Sequence, residues 1–241
     1  NLGDELYAGV KVSDNASNVV VGTDGDNIED ASEKNYISYW NQGAFARDDA
    51  QDVRISGNTF GLSPDGATPT ANKNGIIMRI DGGIVGWCDE NINTTVCSND
   101  GSTADQANVI LNGERGIRFD RGAANVHIYG NYIGTDPAET LDMGPSLYGM
   151  EFRQSNTGEA FFIGGSEIEQ TNTVANADIG IFVNGQSKGD AFLPLNDYRI
   201  VNNTIRDSLT SGIHVLGTEL FGSTPGASDG TIDGNTITGS G

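Results

Sequence analysis

The feature that most limits what this chain can fold into is a seven-fold internal repeat. A glycine followed by an apolar-x-apolar triplet recurs as GVKV, GAFA, GIIM, GIRF, GMEF, GIFV and GIHV, starting at Gly9, Gly43, Gly75, Gly116, Gly149, Gly180 and Gly212. The intervals are 34, 32, 41, 33, 31 and 32 residues, the size of units that cannot bury their own apolar face and must stack on one another. Each unit holds a second short strand (NVVVG, DVRISGN, GIVG, NVHIYGN, AFFIGG, YRIVNN, TIDGN) and a third (NYIS, NTFG, NVIL, NYIG, NTVA, NTIR, NTIT). Three strands per unit make a triangular coil. The expected fold is therefore all-β: a right-handed parallel β-helix, a single-stranded solenoid of about seven three-strand coils.

Side chains alternate across a strand, so the first and third residues after each glycine share one direction. Those positions hold Val10/Val12, Ala44/Ala46, Ile76/Met78, Ile117/Phe119, Met150/Phe152, Ile181/Val183 and Ile213/Val215, all apolar. Stacked at the ~4.8 Å spacing of paired strands they form one core column. Asn35, Asn58, Asn108, Asn131, Asn172, Asn203 and Asn235 open the third strand of each unit. Asparagine there suits tight left-handed corners, and its amides can also bond from coil to coil. The repeat has a longer rhythm: even-numbered units join strands two and three directly, whereas units one, three and five insert a loop between them.

At this point VVVGTDGDNIEDASEKNYIS and VHIYGNYIGTDPAETLDMG resemble the paired repeats of large bacterial right-handed β-helix surface proteins, of the pectate-lyase-like fold superfamily. The resemblance implies an extracellular or cell-surface, adhesin-like protein. It does not fix an activity, because the scaffold serves adhesins, fibres, polysaccharide lyases and glycoside hydrolases. A single β-helix domain over residues 1–241, cut from a longer repetitive chain, is expected. Neither end carries an obvious cap, so further coils or copies of the chain stacked end to end would cover the core.

Thirty-three acidic against thirteen basic residues give a formal charge of -20. Such a charge disfavours nucleic acid and anionic membranes as partners and attracts divalent cations. No run approaches the ~18 apolar residues of a membrane span, and no signal segment opens the chain. Cys88 and Cys97 flank a polar loop, where a disulfide is expected.

The outward positions of the first strand are the natural place for a site. The second position after the glycine reads Lys11, Phe45, Ile77, Arg118, Glu151, Phe182 and His214, and the fourth includes Arg47, Arg79, Asp120 and Arg153. Arginines can hold carboxylated sugars and aromatic rings can stack on them, so Phe45, Arg47, Arg79, Arg118, Arg153 and Phe182 are candidate carbohydrate-binding residues. Asp120 and Glu151 fall on adjacent coils and are the only candidate catalytic pair for glycoside hydrolysis. The competing reading is a salt-bridge ladder, Arg118 to Glu151 and Asp120 to Arg153. No calcium-dependent lyase cluster, zinc spacing or nucleophile elbow stands out.

Asp24, Asp26, Asp30 and Glu33 crowd a Gly-containing loop and are the candidate ligands of calcium, though not in EF-hand spacing. His127 shares an outward position on the second strand with Arg54 and Arg199 and reads as a solvated surface histidine. Asn15, Asn93 and Asn202 head Asn-x-Ser/Thr triplets, acceptors in a glycosylating secretory system. Regularity without a convergent catalytic cluster favours a structural or adhesive module. A carbohydrate-active enzyme working on the outward face of the first sheet is the alternative.

Overall fold

The computed structural model describes residues 7–26, 28–87, 103–119, 123–153, 161–185, 195–217 and 227–239. Three parallel seven-stranded sheets run along it, and in each sheet a strand pairs with its counterparts from the preceding and following coil. Sheet A comprises Ala8–Val12, Gln42–Ala46, Asn74–Met78, Arg115–Phe119, Tyr148–Arg153, Ile179–Asn184 and Ser211–Leu216. Sheet B comprises Ser17–Gly22, Gln51–Ser56, Asp81–Gly86, Ala124–Tyr129, Phe161–Ile163, Tyr198–Val201 and Thr231–Asp233. Sheet C comprises Tyr36–Ile37, Thr59–Phe60, Val109–Ile110, Tyr132–Ile133, Thr173–Ala175, Thr204–Arg206 and Thr236–Thr238. The molecule is a parallel β-helix, as the repeat requires.

Register never slips. Down sheet A, Lys11, Phe45, Ile77, Arg118, Glu151, Phe182 and His214 are successive partners. Down sheet C the column is Ile37, Phe60, Ile110, Ile133, Val174, Ile205 and Ile237. The core column of sheet A is at most 1% exposed from Ala44 through Val183. Phe119 stacks on Phe152 at 5.0 Å, and Phe161 from sheet B meets both edge-on at 5.8 and 5.3 Å. The last coil differs: Val215, Ile232 and Ile237 are 36%, 46% and 47% exposed, whereas Val183, Ile200 and Ile205 one coil earlier are fully covered.

The repeating glycine is explained by packing. A Cβ on Gly43, Gly75, Gly116, Gly149 or Gly180 would stand 2.4–2.6 Å from the carbonyl oxygen of the corresponding glycine in the next coil. It would also strike the inward side chain of sheet C, as Gly116 would meet Ile133 Cγ2 at 2.6 Å. Only hydrogen fits where the first and third sheets converge.

The asparagine column is a continuous amide ladder. Asn35 donates to Asn58 (2.9 Å), Asn58 to Asn108 (3.2 Å), Asn108 to Asn131 (2.9 Å), Asn131 to Asn172 (3.0 Å), Asn172 to Asn203 (2.9 Å) and Asn203 to Asn235 (3.0 Å). Each ladder amide from Asn58 on also donates to a backbone carbonyl of the preceding coil, as Asn131 does to Val85 at 2.8 Å. Where the sheets join directly, the left-handed corner is not the ladder asparagine but the residue before it: Gly57 (φ 72°), Gly130 (66°), Asn202 (53°) and Gly234 (63°).

Candidate functional site

On the outer face of sheet A the expected row is present, but much of it is covered. Phe45 is 1% exposed, with the guanidiniums of Arg47 and Arg79 over its ring at 5.3 and 5.1 Å. Phe182 is 7% exposed and packs against Tyr148 (4.9 Å) and His214 (5.2 Å). These aromatic faces are therefore engaged by neighbours within the row.

Glu151 is the hub of this face. It is 2% exposed, and its carboxylate meets Arg115 Nε at 2.7 Å, Arg118 Nε at 3.6 Å and Arg153 Nε at 3.3 Å. The strand register sets Arg118 beside it on the adjacent coil, and Arg153 lies two residues along its own strand. Arg115 also pairs with Glu114 (3.0 Å) and lies 5.6 Å over the Tyr148 ring. Sequence reasoning found Arg118 and Arg153 and missed Arg115. The strands were counted from the glycine, yet the residue before it already belongs to sheet A: Arg115 pairs with Asn74 and Tyr148. The arrangement fixes guanidiniums in a row; the carboxylate itself has no open side toward solvent. Asp120, expected either as its catalytic partner or as the ladder partner of Arg153, lies outside the described residues, as do Cys88, Cys97 and Asn93.

A second cluster sits over sheet B. Its outward column runs Val20, Arg54, Ile84, His127, Phe162, Arg199 and Thr231. Asp24 of the first-coil loop and Gln106, near the end of the third-coil loop, lie against it. Arg54 is thereby fully buried, its Nη1 donating to the Asp24 carbonyl (2.6 Å) and its Nη2 to Gln106 (2.9 Å) and Ser56 (3.2 Å). The two loops also meet at Lys34 and Asp105, 3.5 Å apart. Desolvation lowers the Arg54 pKa to about 10, while Asp24, Asp30 and Glu33 pull it upward, so the guanidinium remains charged at neutral pH.

Carboxylate oxygens of Asp24, Asp26 and Asp30 all lie within 4.8 Å of one another. Glu33 stands beside them, accepting a hydrogen bond from the Asp24 amide at 3.2 Å. Asp30 is 5% exposed, and neither of its oxygens accepts a hydrogen bond. Farther along the same face, His127 is half-buried instead of freely solvated: it stacks on Phe162 at 4.6 Å, and its Nδ1 is 2.9 Å from the Tyr129 hydroxyl. Asn15 is exposed, and the Asn202 amide donates to the Gly165 carbonyl at 2.8 Å.

No protein-family model, no curated protein and no solved structure matches this chain. Its class is defined by the fold: it is a parallel β-solenoid repeat protein, built of coils with one strand in each of three sheets. Among the described residues no helix is long and apolar enough to cross a membrane.

Proposed function

We propose that the chain is a non-catalytic structural or adhesive module, a stiff β-helical segment of an extracellular stalk, adhesin or filament. Its sheet A flank contacts anionic polysaccharide. The observation that carries this reading is the use made of outward polar groups. Glu151, the one described member of the expected catalytic pair, is buried and held by three guanidiniums, an arrangement that braces neighbouring strands and leaves no room for a substrate at the carboxylate. Arg153, with a side chain 32% exposed, offers the most accessible guanidinium of that group to a sugar carboxylate. End-to-end contact with a second copy is the partner proposed for the last coil, where it would cover Val215, Ile232 and Ile237.

The test is incubation with alginate, pectin and sulfated polysaccharides, reading binding and soluble products separately, with electron microscopy of the same samples. Retention on an acidic polysaccharide without product, weakened in Arg153→Ala, is expected. Products that disappear in Glu151→Gln would instead establish the carbohydrate-active enzyme.

A further inference from the structure

We propose that the loop crossing sheet B in the first coil is a specific divalent-cation site of the calcium class, liganded by Asp24, Asp26 and Asp30. This stands apart from the adhesive reading, and either can fail without the other.

Crowded acidic residues alone would not warrant a site in so acidic a chain. The distinguishing group is Asp30, which is 5% exposed with both carboxylate oxygens accepting no hydrogen bond. Burying a carboxylate is costly unless a cation or hydrogen-bond donors compensate it. Arg54 is nearby and feels the Asp30 charge, but its guanidinium donates to the Asp24 carbonyl, Gln106 and Ser56. One guanidinium also cannot balance the four carboxylates of Asp24, Asp26, Asp30 and Glu33, and about three negative charges remain around a buried group.

The geometry fits one ion. Two oxygens sharing a calcium at ~2.4 Å each stand at most ~4.8 Å apart, and the three carboxylates fall within 4.8 Å of one another. The donors are all oxygen, with no imidazole or thiolate, which selects a hard cation over zinc or copper. A loop supplying several carboxylates with freedom to adjust suits calcium better than magnesium, which demands a tighter octahedron. Bound there, the ion would fasten the first-coil loop over Arg54 and, through Gln106, to the third coil.

Calorimetry of the EDTA-stripped, folded chain at physiological ionic strength tests this, with melting followed by circular dichroism on the same samples. Calcium is the probe, magnesium the comparison, and Asp30→Asn and the part-exposed Asp26→Asn the variants. The second variant guards against a folding defect in the first. Expected are saturation at one calcium per chain, a higher melting temperature with calcium, weaker binding of magnesium, and at least a tenfold loss of calcium affinity in each folded variant. Absence of saturable binding in the unmodified chain would overturn the proposal, as would folded variants that bind calcium like it. Asp30→Asn raising the melting temperature while the unmodified chain ignores calcium would also overturn it, by showing that the buried carboxyl needs no cation.

Discussion

A methyl group on Gly116 would stand 2.5 Å from the Gly149 carbonyl oxygen and 2.6 Å from Ile133 Cγ2, so neither a backbone nor a core side chain could stay in place. Gly116→Ala is expected to cost about 1–3 kcal/mol, the usual range for overpacking, read as a lower urea midpoint at unchanged slope. Asn131 tests the other column. Its amide donates to the Val85 and Tyr129 carbonyls and to Asn172, and Asn131→Asp replaces those donors by an acceptor in a fully buried place. A loss of at least ~2 kcal/mol is expected. It should deepen as pH rises past ~4, because the ionised carboxylate is worse placed there than the neutral acid; a pH-independent loss would contradict the ladder. Both columns were visible in the sequence as recurring letters. The amide ladder was among the expected roles of the asparagine; that the glycine answers a collision between coils, and that the residue before the asparagine turns the left-handed corner, was not legible.

At the scale of elements, Glu151 joins the strands Arg115–Phe119 and Tyr148–Arg153 through three arginines. An exposed ion pair contributes ~0–1 kcal/mol, and a buried one that loses a partner costs ~3–5 kcal/mol. The arginine side chains keep 17–32% of their exposure, which lets water replace part of what is lost. Glu151→Gln is therefore expected to destabilise by about 2 kcal/mol in chemical denaturation, and a neutral result would show the cluster to be ornamental to the fold. Strand positions were legible because Gly-apolar-x-apolar marks sheet A in every coil. The covering of the faces was not, because it depends on where loops land. Asp24 and Gln106 are far apart in sequence, yet both accept hydrogen bonds from Arg54. An outward register position thus became a buried one.

For the whole molecule, each coil pairs only with its neighbours, so stability is close to a sum of coil and interface terms. Among the described residues, ties reach farther at two places. Beside Arg54, Lys34 of the first coil meets Asp105 of the third at 3.5 Å, and Arg206 of the sixth coil reaches Thr135 (3.1 Å), Glu139 (3.8 Å) and Asp142 (3.8 Å) in a loop of the fourth. The loop alternation seen in the sequence is the origin of these two-coil spans. They are expected to make the one-dimensional stack unfold more cooperatively than nearest-neighbour pairing alone would. Amide hydrogen exchange tests that claim most directly. In the dissociated single chain, peptides covering Ile117, Val126, Ile133, Met150 and Ile181 should exchange slowest and at a common rate, with protection falling toward Ile232 and Ile237. Central-coil amides that exchange independently of one another, or as fast as those of the last coil, would contradict a continuous, tied interior.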